Sequence, residues 1–518
     1  MSTKEKFTEE IKNAYSFNED YITLGGAIYA GESINSLYVN VPLKTLNRHG
    51  LIAGATGTGK TKTLQVITEQ LSSKSIPVLV MDVKGDFSGI AKAGIINPKI
   101  EERHNKIGLE YEPEGFPVEL LTLSDEKGVR LRATVLEFGP VLLSKILELN
   151  DTQSSFVSLI FKYCDDTQLP LLDLKDFKRV LQFISNEGKT EIEKHYGSIS
   201  TTSVGTILRK VIELEQQGAD KFFGEKSFEV NDLVRIDEQG RGIISIIRLV
   251  DLQDRPKLFS TFMLSLLAEI YSTFSEEGDL PQPKLVIFID EAHLIFKEAS
   301  KALLDQIETI IKLIRSKGVG IFFCTQNPTD VPASVLSQLG LKVQHALRAF
   351  TAKDRQMIKL TAENYPISEY YKTDEMLTSL GIGEAAITAL NEKGTPTPLA
   401  ATLLRAPQSR MDILINEEID ELVRNSKLLS KYNEIIDRES AYELLNRKLE
   451  VSSRDKEFSL PKYETPKQPR GRPKEEKSTF EKVLTSSTTK QIGNTVVREL
   501  ARGILGVLGL GGSTRRRK

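Results

Sequence analysis

The sequence predicts an α/β fold built on a mainly parallel sheet with helices on both faces. Three observations carry this expectation. His49-Gly50-Leu51-Ile52-Ala53, a glycine-rich turn, the helix-compatible TKTLQVITEQLSS and Pro77-Val78-Leu79-Val80-Met81 follow one another directly. They make a strand–helix–strand unit of about 35 residues, the crossover that parallel strands require. Beyond Gly242, apolar runs at 243–249, 285–289, 320–325, 342–347 and 385–390 alternate with helix-like segments at 257–274, 301–316 and 352–361, a doubly covered arrangement. The 518 residues are 40% hydrophobic and 27% charged, which suffices for a core and excludes a wholly disordered chain.

The elements follow in order. Residues 1–47 read as a helical start and a small β-rich region. Its TLGGAIYAGESINSLYVNVPL is broken by Gly-Gly, Gly-Glu-Ser and Asn-Ser in a hairpin-like pattern. Residues 48–405 form the α/β domain, with a helical insertion over about 100–240. Within it Leu174, Phe177, Leu181 and Ile184 share one helical face before Gly188, and Val204, Ile207, Leu208, Val211 and Ile212 another before Gly218. A helical extension occupies 406–450. Residues 451–518 read as a basic, largely disordered tail, rich in Lys, Glu, Pro and Ser at its start.

Charge divides along the same boundary. The formal net charge is −2, yet 451–518 hold 16 basic and 7 acidic residues, leaving −11 on the preceding 450. Such a basic appendage points to nucleic acid or an anionic surface. No apolar stretch reaches the roughly 18 residues of a membrane span, and the N-terminus lacks a secretory h-region. Cys164 and Cys324, the only cysteines, exclude a disulfide framework and predict a reducing, cytoplasmic setting. The five histidines show no metal-ligand spacing.

Gly54-Ala55-Thr56-Gly57-Thr58-Gly59-Lys60-Thr61 fits the phosphate-binding pattern G-x-x-x-x-G-K-[ST]. Its glycines let backbone N–H groups turn toward phosphate oxygens, and the following helix adds its positive end. Lys60 suits the β- and γ-phosphates, and the Thr61 hydroxyl suits Mg2+. The buried-type run 285–289 ends in Asp290-Glu291. Asp290 is the candidate Mg2+-associated acid, and Glu291 the group that polarises the attacking water. Gln326 follows the strand 320–325, where an amide can contact phosphate and water together. Asp82 ends the second strand on the same sheet edge and either touches metal or caps a loop. Asp290-Glu291-Ala292-His293 also spells DEAH, but no Q-x-x-G-R-x-x-R accompanies it, so His293 reads as incidental. Without an N-K-x-D to read guanine, ATP is the expected nucleotide.

These elements together resemble the HerA/FtsK branch of RecA-like P-loop NTPases, in particular a bacterial HerA-like helicase-domain family. The carrying segments are NRHGLIAGATGTGKTKTLQ, VLVMDVKGDFSGIA, KLVIFIDEAHLIF, IKLIRSKGVGIFFCTQNPTDVP and VLSQLGLKVQHALRAFT. The resemblance implies a RecA-like motor, a homo-hexamer with ATP between neighbouring subunits, and translocation on double-stranded DNA. It also implies an arginine supplied in trans. Arg315 matches that position, and Arg348, after the next strand, is the second candidate. The alternative function is an ATP-gated hexameric platform that recruits a nuclease or another effector. The N-terminal β-rich part is shorter than the full barrel of archaeal relatives.

In the tail, Pro469-Arg470-Gly471-Arg472-Pro473-Lys474 resembles an AT-hook core. There Arg470 and Arg472 would enter a narrow A·T minor groove. The amphipathic stretch 496–505 and Arg515-Arg516-Arg517-Lys518 suit DNA, an anionic membrane surface or a neighbouring subunit.

Overall fold

A single twelve-stranded sheet organises the larger part of the described chain. The computed structural model describes residues 2–457 apart from 199, 253, 254, 279, 298–300, 435 and 437. Arg470, Arg472 and the rest of the basic tail lie outside the described residues. Two units are distinguished: Met1–Arg132 with Lys226–Glu434, and Ala133–Glu225 with the described residues after Glu434.

The strands of the first unit are β1 (Tyr21–Tyr29), β2 (Glu32–Pro42), β3 (Gly50–Ala53), β4 (Val78–Asp82), β5 (Val118–Thr122), β6 (Val129–Arg130), β7 (Ile244–Arg248), β8 (Leu285–Ile289), β9 (Val319–Thr325), β10 (Leu341–His345), β11 (Glu384–Thr388) and β12 (Ala400–Leu404). Their spatial order is β2-β1-β12-β11-β10-β3-β9-β8-β4-β7-β5-β6. From β10 to β6 every neighbour is parallel. Every residue of β3, β4, β8 and β9 is buried, which is why these segments read as unbroken apolar runs. At the other edge β11, β12, β1 and β2 are antiparallel. The N-terminal hairpin thus continues the main sheet, joining it through Gly25↔Leu404 and Ala27↔Thr402.

Around this sheet run α1 (Thr3–Ala14), α2 (Lys60–Ser73) and α3 (Pro98–Ile107). The second unit contributes α4 (Val135–Ile146), α5 (Asp151–Thr167), α6 (Leu174–Ser185), α7 (Lys189–Tyr196) and α8 (Thr201–Gln216). The chain then returns to the first unit with α9 (Pro256–Thr273), α10 (His293–Lys297) and α11 (Lys301–Ile314). α1 starts in a capping box between Ser2 and Glu5 and buries Phe7 and Ile11, satisfying its first amides while its apolar stripe joins the core.

The helical reading of 100–240 needs correction at both ends. After α3, strands β5 and β6 lie within it and belong to the sheet; the run of helices is α4 to α8, and beyond Gln216 only short 3-10 turns follow. β5 is hard to see because Glu119 interrupts its apolar run. That carboxylate is buried and paired with Arg235 at 2.9 Å, so a charge occupies a core position that only a distant partner makes tolerable. The extension expected over 406–450 is three helices, Asn416–Arg424, Leu429–Tyr432 and Ala441–Glu457, the last running into the first residues expected to belong to the tail. The last belongs to the second unit, where the Tyr442 amide donates to the buried Asp176 carboxylate at 2.9 Å.

Candidate nucleotide-binding site

Register brings the candidate residues to one edge. Ala53 is level with Thr325 and Gln344, and Met81 with Ile289, so β3, β4, β8, β9 and β10 all end on the same side. The loops leaving those ends carry the chemistry, as expected of a parallel sheet.

The turn Gly54–Thr61 is anchored from several directions. Gly54 and Ala55 amides donate to Thr325 O (3.3 Å) and Ala346 O (2.9 Å). The Thr58 hydroxyl donates to Ala55 O at 2.7 Å, and the Gly383 amide donates to Thr58 O at 3.0 Å. Gly383 itself is strapped by Arg103, whose guanidinium donates to Ile382 O, Gly383 O and Leu404 O at 3.0–3.1 Å. Two glycines are required by space or backbone. A Cβ at Gly54 would lie 2.5 Å from His345 Cβ, and Gly59 precedes α2 at φ +112°, a conformation side chains rarely allow.

Lys60 is buried, and its ammonium donates to Gly54 O (2.8 Å) and Ala55 O (3.2 Å). Burial lowers its pKa, and the charge of Lys84 adds to that. The Thr61 hydroxyl donates to Asp86 Oδ2 at 3.3 Å. Asp82, Asp86 and Asp290 each place a carboxylate oxygen within 4.8 Å of the others. Burial, followed by the charge of Asp86, pushes Asp82 up to about 6. Burial also raises Asp290 to about 7, with Lys84 opposing and Glu291 adding. Three crowded carboxylates beside a hydroxyl form a hard oxygen donor set that a divalent cation would neutralise, a fit for Mg2+. Asp82 also accepts from the amides of Gly85 (2.7 Å) and Phe87 (3.2 Å), so it caps the loop as well as facing the cluster.

Glu291 is buried, sits at φ +47°, and pairs with Lys84 and with His293 Nδ1, the latter at 3.0 Å. His293, incidental by sequence, therefore touches the candidate base. Gln326 is exposed at the end of β9. With Ala55, Thr56 and Arg348 it lines a cleft of about 210 Å³.

Arg315 does not join this group. It is exposed in the turn Arg315–Lys317 that leads into β9. The seven residues of β9 separate it from the Gln326 edge, about 20 Å at strand rise. The two candidate arginines are thus distinguished: Arg348 lines the cleft of its own P-loop, and Arg315 stands at the opposite edge.

Two residues were missed by sequence reasoning. Asp86 was visible in Met81-Asp82-Val83-Lys84-Gly85-Asp86 but carried no spacing rule. His345 gave no signal, being one histidine in an apolar strand. It is fully buried, its Nε2 lies 2.9 Å from the Thr63 hydroxyl, and burial with the Lys60 charge lowers its pKa to about 4. It is a neutral support beneath the P-loop.

Among the described residues no helix is long and apolar enough to cross a membrane. The family described as "Helicase HerA-like C-terminal" matches residues 29–516. The "DNA double-strand break repair helicase HerA" of Sulfurisphaera tokodaii is 26% identical over 386 residues, covering 71% of this chain and 68% of that protein. The "DNA import protein CedB" of Sulfolobus acidocaldarius is 26% identical over 320 residues, covering 60% and 46%. Among solved structures, the bacterial conjugative coupling protein TrwBdeltaN70 with sulphate superposes at a TM-score of 0.52 with 15% identity, over 78% of this chain and 94% of that one. TrwB with the ATP analogue ADPNP gives 0.51 and 13%, over 76% and 97%. At such identities these structures speak for a shared RecA-like P-loop fold. With the family match across nearly the whole sequence, the chain belongs to the HerA-like helicase family of P-loop ATPases.

Proposed function

We propose that this protein is a ring-forming motor, a homo-hexamer that couples Mg-ATP hydrolysis to movement on double-stranded DNA. The observation that carries the reading is the convergence of the P-loop, the three-aspartate cluster, Glu291 and Gln326 on one sheet edge. Such a constellation serves phosphoryl transfer through positioning and charge stabilisation. Backbone amides of Gly54–Thr61 and the Lys60 ammonium hold the phosphates. Thr61, Asp86, Asp82 and Asp290 would hold Mg2+, which supplies neutralisation of phosphate charge. Glu291 takes the proton of the attacking water, and Gln326 orients that water against the γ-phosphate. Arg315 acts on the site of the next subunit, an assignment supported by its distance from its own P-loop. The DNA substrate is supported by the likeness to the DNA repair helicase HerA and the DNA import protein CedB and by the basic tail.

ATPase rate measured with and without duplex DNA, on material sized for oligomeric state, tests this. Lys60→Ala should abolish hydrolysis. Glu291→Gln should keep ATP binding and lower turnover by about 10²–10⁴. Normal hydrolysis by Lys60→Ala would sink the site assignment. A rate indifferent to DNA, with stoichiometric capture of a nuclease, would favour the platform reading instead.

A further inference from the structure

We propose that Lys84 is a positioning residue for Glu291 and a ligand of the γ-phosphate, exchanging one anion for the other during each turnover. The inference deepens the nucleotide reading above and rests on it.

The Glu291 side chain is buried, with the Lys84 ammonium against Oε1 and His293 Nδ1 3.0 Å from Oε2, though neither oxygen completes a well-aligned hydrogen bond. Its backbone is held at φ +47° between the buried strand β8 and Ala292, whose amide donates to Cys324 O at 2.9 Å. The carboxylate has little freedom to turn away. In hydrolysis the water oxygen bonds to the γ-phosphorus, and the bond from that phosphorus to the β–γ bridging oxygen breaks. The water proton passes to Glu291. The ammonium occupies Oε1, the oxygen free of His293, so Lys84 has to leave it before the proton can arrive there.

Its position gives it somewhere to go. Lys84 lies two residues before Asp86, which accepts from Thr61 at 3.3 Å. Asp86 also shares a carboxylate cluster with Asp82 and with Asp290, the residue next to Glu291, so Lys84 stands between the cluster and the candidate base. Its side chain is 36% exposed, and a four-carbon stem lets the ammonium move while Glu291 stays in place. An anionic phosphate oxygen offers the same kind of charge-assisted bond as the carboxylate it replaces. His293 retains Oε2 throughout and keeps the freed carboxylate oriented.

The test is equilibrium binding of ATPγS and of ADP, each with Mg2+, to the full chain as wild type, K84M and K84R, with kcat and KM for ATP. K84M should bind ATPγS about tenfold more weakly, while ADP affinity moves less than about twofold and reports an intact fold. K84R should restore the preference for ATPγS. If Lys84 and phosphate compete for one another as argued, E291Q should bind ATPγS more tightly than wild type, and the E291Q/K84M double variant should lose that gain. An unchanged ATPγS-to-ADP ratio in K84M, or a gain that persists in the double variant, overturns the proposal. Wild-type protein that binds neither nucleotide overturns the nucleotide reading along with it.

Discussion

Mixing two inactive variants tests where Arg315 acts. The residue is exposed in the turn before β9, at the edge opposite the P-loop, with a strand of about 20 Å between it and Gln326. No rotamer brings its guanidinium to the phosphates of its own subunit. If it serves the neighbouring site, Arg315→Ala alone should lower kcat by about 10³–10⁵, and Lys60→Ala alone should be inactive. In a ring assembled from equal amounts of both, a working site needs intact Lys60 on one subunit and intact Arg315 on the next. Random assembly supplies each with a probability of about one half, so about a quarter of the sites should turn over. Coexpression with two different tags isolates mixed rings, and a coupled ATPase assay reads the recovery. The same mixture made with Arg348→Ala in place of Arg315→Ala should recover nothing, because Arg348 lines the cleft of its own P-loop. Verified mixed rings without recovery would refute the trans assignment of Arg315. Recovery with Arg348→Ala would transfer it to that residue.

Further outcomes are expected elsewhere. His49 is fully buried; its Nδ1 accepts from the Ile321 amide at 3.0 Å and its Nε2 donates to Ile311 O at 2.8 Å. Burial lowers its pKa from 6.5 to about 4, so between those values the unfolded chain binds more protons and stability rises with pH. About 3 kcal/mol should be lost from this group as pH falls through that window. Circular-dichroism melts, suited to a chain without Trp, should show a shallower pH dependence for His49→Gln; parallel slopes would contradict the argument. Arg103→Ala removes three guanidinium bonds to the turn that grips Thr58. With charge-donated bonds contributing about 1.5–3 kcal/mol each, loosening this strap should raise KM for ATP about tenfold and change kcat by less than about threefold. Equal loss in kcat would place Arg103 in the chemistry itself.

Much of the site was legible because its parts are local. A phosphate loop is eight consecutive residues between a strand and a helix, and Asp290-Glu291 directly follow a run of five apolar residues. Asp86 escaped because the loop after β4 brings it back toward Thr61, a proximity that has no fixed spacing in sequence. His345 escaped because a buried histidine owes its role to the glycine and threonine it packs against, both from another part of the chain. The approach of His293 to Glu291 has the same origin, since it arises from the turn between β8 and α10.

The fold divides in the same way. Apolar periodicity determined the parallel strands around the P-loop, since a strand buried on both faces must be apolar throughout. It determined the helical character of α4–α8 by the spacing of their buried faces. Only the tertiary structure decided that the N-terminal hairpin extends the main sheet through β12, that β5 is a strand despite Glu119, and that Arg315 and Arg348 stand at different places relative to the P-loop. Backbone pairing between distant strands, and the neutralisation of a buried charge by a partner more than a hundred residues away, leave no local pattern to read.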